Sequence, residues 1–177
     1  DADLFGGHPA ALQHARGFAA GREVKDGSMN RLYVVESCYS ITGGSADHRL
    51  AMAPGQIAGF VDRLASEVQR LVDGGSAEHG GDSPEVKFLH AVASDLFGSR
   101  GQSVVAVGAH LAPEIHAAVH RLNALLGNVG KTITYTAVDD RPGHIEAIKT
   151  LVAEMNDGRI NTLVVLGGNP VYNAPAD

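Results

Sequence analysis

A lone cysteine, a pair of histidines and an Asp-His-Arg triplet are side chains in this sequence that could take part in chemistry. Cys38 follows the first apolar run and would need a neighbouring base to act as a nucleophile. As the only cysteine, it is otherwise expected to be an inert packing residue.

His116 and His120 are four residues apart, a spacing that suits a zinc site on a helix. Helical geometry puts both away from the apolar stripe, and no third ligand is evident, so we expect surface histidines.

The triplet Asp47-His48-Arg49 is a second group of titratable residues. Consecutive residues in a loop do not share a face, and the spacing directs no nucleophile at them. We therefore expect these side chains to be solvated or to brace their loop, with Asp47 as a candidate turn cap.

The turn Gly167-Gly168-Asn169-Pro170 is a place where a ligand could approach the backbone. Glycines after a buried strand allow N–H groups to reach a phosphate or the edge of a pterin, and the Asn amide adds donors and an acceptor. A tight exit from the strand explains the same residues, and composition does not separate the two interpretations.

The sequence has no G-x-G-x-x-G after its first strand, no Walker A motif and no G-x-S-x-G, which argues against an ordinary NAD site, a P-loop nucleotidase and a serine hydrolase.

Composition predicts one globular domain. The chain has 177 residues, of which 44% are hydrophobic and 19% charged, and this length allows a sizeable core. One cysteine excludes a disulfide, a four-cysteine zinc site and a cysteine-ligated iron–sulfur cluster within this sequence. The net charge of −6 and the lack of a basic block argue against nucleic acid as a partner. No apolar run is long enough for a membrane span. Because the sequence starts with Asp, we expect it to be an excerpt of a longer protein.

Alternating strands and helices must position these residues. Short apolar runs rich in β-branched residues predict four strands, at residues 32–35, 103–107, 132–136 and 162–166. Apolar residues at three- and four-residue steps predict a short helix at 12–20 and longer helices that begin near Pro54, Pro84, Pro113 and Ile145. Residues 37–52 show no period and are predicted to be a loop, and the Gly-rich connection at 74–82 is predicted to be a mobile surface segment.

This order of elements predicts an α/β fold. We expect residues 30–177 to form a three-layer, Rossmann-like domain with a mainly parallel sheet of about four strands, preceded by a weakly patterned extension at residues 1–29. Ligands bind beyond the carboxyl ends of the strands in such sheets. The loop at 37–52 and the turn at Gly167 would therefore lie at the site.

Three segments of the sequence resemble the molybdopterin oxidoreductase family. The first comprises RLYVVES at 31–37 and ITGGSADHRL at 41–50, the second is LNALLGNVGK at 122–131, and the third is LVVLGGNPVY at 163–172. The resemblance covers most of residues 30–177 in order. It is closest to the molybdopterin-like domain of the iron–sulfur subunit of bacterial alternative complex III, a quinol-oxidising respiratory complex.

The resemblance implies an α/β domain that, in molybdoenzymes, helps to hold a molybdopterin guanine dinucleotide cofactor. Such a site would use mainly backbone groups and the Asn amide, from Ser37, Thr42, Gly43, Gly167, Gly168, Asn169 and Pro170. No motif assigns a molybdenum ligand to Ser37 or Cys38, and neither a catalytic residue nor a metal ligand is predicted.

Similarity to the respiratory subunit implies a scaffold without redox chemistry of its own, inactive as an isolated fragment of an oxidoreductase subunit. Iron–sulfur clusters would lie elsewhere in the parent chain. The partners would be the remainder of the same chain, a haem subunit and membrane subunits, with association to the membrane through the complex on the periplasmic side of a bacterium. Two alternatives remain open: a fragment of an active molybdoenzyme that forms part of the cofactor site, and a stand-alone α/β domain that binds a phosphate-bearing small molecule.

Overall fold

The computed structural model describes residues 1–24, 27–76, 81–137 and 143–174. Contacts divide the chain into two compact units, Asp1–Tyr135 and Thr136–Asp177. The described residues contain both helices and a parallel strand pair, so the chain is a mixed α/β protein. The helices of the first unit are α1 (Ala11–Ala20), α2 (Ile41–Gly44), α3 (Pro54–Val72), α4 (Pro84–Gly98) and α5 (Pro113–Leu125).

The sheet of the first unit has two parallel strands. Strand β1 (Tyr33–Glu36) pairs with β2 (His48–Ala51), with Tyr33 opposite His48 and Glu36 opposite Ala51. Parallel neighbours need a crossover connection, and the segment between the strands, which contains α2, supplies it. Alternate residues of β1, Val34 and Glu36, point to the buried side.

The predicted helix starts are confirmed. Proline occupies the first turn of α3, α4 and α5, where its missing N–H costs no helical hydrogen bond. The Ser83 hydroxyl accepts the backbone N–H of Val86 and caps α4. The predicted helices at 12–20 and from Ile145 are also present, as α1 and as α6 (His144–Asn156).

The core of the first unit lies where α3 meets α4, α5 and the sheet. Apolar residues at helical spacing make this contact, because they form one stripe on each helix. The core residues are Met52, Ile57, Phe60, Leu64, Val68, Leu89, Val92, Ala93, Leu122 and Leu126.

The prediction that residues 37–52 form a loop is wrong. The Ser40 side chain accepts the backbone N–H of Gly43 and caps α2, despite two glycines in that short helix. Residues from His48 then pair with the open edge of β1. Local hydrogen bonds and strand pairing therefore give structure to a segment that has no hydrophobic period.

Three predicted strands are not formed, so the described ranges do not show the expected four-stranded sheet. Residues 103–107, 132–136 and 162–166 belong to no strand there. At Val105 the backbone N–H and C=O both bond to the Asn123 side chain, so these groups are not available to a neighbouring strand. Ile133 makes only an isolated bridge with Val129.

The described part of the second unit contains α6, residues 159–168, which form neither helix nor strand, and the single turn α7 (Pro170–Asn173). No residue of α6 or α7 is buried. The apolar stripe of α6 is at least 38% exposed at each of Ile145, Ile148, Val152 and Met155. Residues 161–168 are also exposed, with Val164 73% and Leu166 92% accessible.

Residues 1–24 belong to the first unit and contact the rest of it through specific bonds. The Arg22 guanidinium pairs with the carboxylate of Asp47, which directly precedes β2, and donates to the carbonyl of Asn30. The Asn30 amide donates in turn to the carbonyl of Phe18 in α1.

In the described part of the chain, no helix combines the length and hydropathy that a membrane crossing requires. The Gly-rich connection predicted at 74–82 includes residues 77–80, which lie outside the described ranges.

Candidate functional site

The candidate site is the crossover after β1, which carries the first segment of the family resemblance. Glu36 ends β1 and is 1% exposed. Its carboxylate accepts the Ser40 hydroxyl at 2.6 Å and the Arg49 Nε–H at 2.5 Å. A buried charge must be paired and hydrogen-bonded, and these two donors meet that need. Burial by itself would raise the pKa of Glu36, but the bonds from Ser40 and Arg49 lower the pKa below its usual range.

Gly43 allows α2 to approach this carboxylate. A Cβ at residue 43 would lie 1.8 Å from Glu36 Oε1, so only glycine fits here without movement. Gly43 is buried, and its N–H is bonded to the Ser40 side chain. The glycine at position 43 is therefore explained by packing against Glu36.

Thr42 is buried and engaged by Asp3. The Thr42 hydroxyl donates to Asp3 Oδ1 at 2.8 Å, the Thr42 N–H donates to the same oxygen at 3.1 Å, and the hydroxyl accepts the Phe5 N–H at 2.9 Å. Hydrogen bonds from the Thr42 hydroxyl lead the causes that lower the pKa of Asp3. The polar groups of Thr42 thus face the N-terminal segment.

The Asp47-His48-Arg49 triplet braces the crossover, as the sequence predicted. The Asp47 carboxylate accepts two bonds from the Arg22 guanidinium, at 2.7 and 2.9 Å, and the Leu32 N–H at 2.8 Å. The bond from Arg22 is the main cause that lowers the pKa of Asp47. The His48 ring stacks on Tyr33, with ring centroids 4.9 Å apart.

The crossover begins with three exposed residues, Ser37, Cys38 and Tyr39. Cys38 is exposed, so the expectation of a packing residue is wrong. Tyr39 is 74% exposed and covers the Arg49 guanidinium, whose carbon lies 4.8 Å from the ring centroid. The Ser37 hydroxyl donates to the Asp1 carboxylate at 3.3 Å.

Two buried asparagines explain the second segment of the resemblance. The Asn123 amide bonds to both the N–H and the C=O of Val105, at 3.0 and 2.8 Å. Asn128 accepts the Gly101 N–H at 3.1 Å and donates to Asn123 at 3.1 Å. Together these side chains hold residues 101–105 against the end of α5. The Gly-Asn-Val-Gly turn is therefore part of an internal polar network.

The third segment lies in the second unit. Gly167 and Gly168 have φ angles of 74° and 84°, a left-handed conformation that only glycine adopts freely. Asn169 and Pro170 follow at the start of α7 and are exposed. The candidate site residues therefore fall in different units. Ser37, Thr42 and Gly43 belong to the first unit, and the second unit contains Gly167, Gly168, Asn169 and Pro170.

The two histidines of α5 differ in burial, since His116 is half-buried and His120 is exposed. His120 is exposed, and its Nδ1 is 2.7 Å from the Tyr135 hydroxyl oxygen. Among the described residues, no group of three His, Cys, Asp or Glu side chains could hold a metal ion.

A groove of about 440 Å³ runs between α3 and α4. Its floor contains Glu67, which is 8% exposed and pairs with Arg70 and with His90 Nδ1 at 3.0 Å. The bond from Arg70 is the main cause that lowers the pKa of Glu67. The contact between Glu67 and His90 therefore joins α3 and α4 by a hydrogen bond in addition to their apolar packing.

No protein-family model matches this chain, and no curated protein matches it either. The site therefore has to be interpreted from its own contacts.

Sequence patterns alone did not point to Asp3, Glu36 or Asn123. Glu36 carried a detectable signal, because it is a carboxylate at the inward position of an apolar strand, next to a loop with an arginine. Asn123 was also detectable, as a polar residue on the apolar stripe of α5. Asp3 had no such signal, since its partner Thr42 is 39 residues away.

Proposed function

We propose that the chain is a molybdopterin oxidoreductase-like domain that serves as a non-redox scaffold in a respiratory, quinol-oxidising complex. The partners would be the cluster-bearing remainder of the same chain and the haem and membrane subunits of the complex, on the periplasmic side. Iron–sulfur clusters would lie elsewhere in the parent, and this domain would contribute surfaces rather than electron carriers.

One observation carries the proposal: the polar groups of the Thr-Gly-Gly-Ser-Ala-Asp-His-Arg segment bond to the protein itself. Thr42 bonds to Asp3, Asp47 to Arg22, and Arg49 to Glu36. Ser45 likewise donates to the Ile41 carbonyl. A cofactor site would direct such groups towards a ligand, whereas a scaffold uses them to fix its own loops.

The proposal includes a larger sheet in the assembled protein. Residues 103–107 and 162–166 are rich in β-branched side chains, and Leu163, Val164 and Leu166 are between 47% and 92% exposed. An exposed apolar segment with open backbone groups gains from pairing with a strand. In the assembled parent, these segments and 132–136 would extend the sheet to about four parallel strands, with 103–107 pairing through the backbone edge that Asn123 does not occupy. Hydrogen exchange is then expected to be slower for the amides of 162–166 in the complex than in the isolated chain.

Titration with a guanine nucleotide tests the scaffold against the cofactor-site alternative. A ligand at a hundred times its dissociation constant stabilises the folded state by about 2.7 kcal/mol. We expect GDP to leave the melting temperature of this chain unchanged. A saturable rise with GDP, absent with guanosine, would favour the molybdoenzyme fragment. A rise of equal size with GDP and ADP would instead favour a stand-alone phosphate-binding domain.

A further inference from the structure

Tyr39 is an exposed aromatic side chain that its neighbours hold in place. The residue is 74% exposed, yet its ring lies on the Arg49 guanidinium, whose carbon is 4.8 Å from the ring centroid. A Cβ at Gly44 would lie 3.3 Å from the Tyr39 hydroxyl oxygen, so the ring also passes close to α2. A ring that is fixed in advance loses little conformational entropy when a partner covers it. Tyrosine and arginine are also among the residue types that dominate the energy of protein–protein contacts.

The Arg49 guanidinium is only partly used inside the chain. Its Nε–H bonds to the Glu36 carboxylate at 2.5 Å. Within the described ranges, its two terminal nitrogens, Nη1 and Nη2, have no hydrogen-bond partner, and neither nitrogen is buried. Because Arg49 belongs to β2 and its Nε is tied to a buried carboxylate, the open end of the guanidinium is fixed in position.

Charge complementarity identifies the group that suits this open end. The two terminal N–H donors of a guanidinium match the two oxygens of a carboxylate. Glu36 already offsets the charge of Arg49, so a small free anion gains little here. A peptide gains more, because it can also cover apolar surface on Tyr39 and on Ile41, which is 63% exposed.

We propose that Tyr39, Ile41 and Arg49 form a docking surface for a partner segment that carries an aspartate or glutamate beside an apolar side chain. The partner carboxylate accepts the Nη1 and Nη2 donors of Arg49, and the neighbouring apolar side chain covers Tyr39. This docking surface rests on the proposed scaffold function and gives the chemistry of one of its partners. Its failure would leave that function standing, because the GDP titration tests the scaffold separately.

A pair of peptides tests the docking surface on this chain. The probe is the acetylated and amidated peptide Leu-Glu-Leu-Glu-Leu, and its control is Leu-Gln-Leu-Gln-Leu. We expect the Glu peptide to shift the NMR signals of the Arg49 side-chain N–H groups and the Tyr39 ring in a saturable manner, and the Gln peptide to bind at least about tenfold more weakly. Arg49→Lys keeps the charge but removes the paired donors, so we expect a similar loss. Arg121→Lys, at an exposed arginine of α5, is the matched control and is expected to bind like the parent chain.

Two variants of Tyr39 separate docking from folding. Because Tyr39 is mostly exposed, Tyr39→Ala is expected to change the melting temperature little and to weaken binding of the Glu peptide at least about fivefold. Tyr39→Phe keeps the ring and is expected to retain the binding. Equal affinity for the two peptides, or unchanged affinity in Arg49→Lys or Tyr39→Ala, would overturn the docking surface. Tighter binding of inorganic phosphate than of the Glu peptide would overturn it in favour of a small-anion site, and a dimer in sedimentation that Arg49→Lys abolishes would do so in favour of a second copy of this chain.

Discussion

At the scale of single residues, the first unit relies on carboxylates that are paired inside the chain. Glu36, Asp47 and Glu67 each bond to an arginine, and each has a lowered pKa. Removing one partner of such a pair costs more than the pair contributes, since it leaves a poorly solvated charge. Substitutions that displace these carboxylates therefore test how much the pairs contribute to the stability of the first unit.

Gly43→Ala places a methyl group against the Glu36 carboxylate. Because the added Cβ would lie 1.8 Å from Oε1, we expect the free energy of unfolding to fall by about 1–3 kcal/mol. Gly59→Ala in α3 is the matched control: no atom lies within 4 Å of its added Cβ, and removal of a helical glycine is expected to stabilise by about 0.5–1 kcal/mol. Urea unfolding of both variants measures the difference. Equal effects at the two sites would contradict the close contact.

The ion pair of Asp47 predicts an acid-sensitive contribution to stability. Because the bond from Arg22 lowers its folded pKa, Asp47 stabilises the protein above its unfolded pKa of about 3.9, and this contribution is lost as the pH falls through the folded pKa. The stability difference between the parent chain and Asp47→Asn is therefore expected to shrink between about pH 5 and pH 2. Denaturant titrations across this range measure it. Asp82→Asn, at an exposed carboxylate, is expected to show a much smaller dependence.

At the scale of elements, the long helices and strand β1 were predictable, whereas α2 and the strand that pairs with β1 were not. Proline starts, the Ser83 cap and apolar residues at helical spacing are local signals, and α3, α4 and α5 follow them. Strand pairing depends on which backbone groups remain open after folding, which no local pattern encodes. The apolar residues near Val105 resemble a strand, but a side chain on α5 takes the hydrogen bonds that define one.

Asn123→Leu tests whether this amide holds the segment at Val105 against α5. The variant keeps the number and branching of the side-chain heavy atoms but leaves the Val105 N–H and C=O without their partner, so we expect a loss of about 1–3 kcal/mol in unfolding free energy. Amide exchange at Val105 is expected to become faster than in the parent chain. Gln56→Leu, an exposed change of the same chemistry on α3, is the control. Unaltered exchange at Val105 would contradict the role of Asn123.

At the scale of the whole molecule, stability belongs to the first unit. The described buried hydrophobic residues all lie between Val34 and Leu126. The sequence predicted one domain over 30–177, because hydrophobic periodicity looks alike in a covered and an uncovered helix. α6 has the expected stripe, yet none of its residues is buried.

A chain that ends at Tyr135 is therefore expected to unfold at the same urea midpoint as the full chain, since burial of apolar surface is the main source of stability. Far-ultraviolet dichroism in urea measures both. A clearly lower midpoint for the shorter chain would show that residues 136–177 contribute to the core.

The stretch from Ile160 to Asn173 carries no charged residue, and most of its apolar side chains are in contact with solvent. Its first seven residues, 160–166, are free of Gly and Pro and have the composition of segments that stack into cross-β aggregates. At neutral pH the net charge of −6 keeps the molecules apart, but this repulsion vanishes near the isoelectric point of about 5.8. Concentrated preparations will therefore become turbid on mild acidification, and a lysine in place of Val164 will keep them clear.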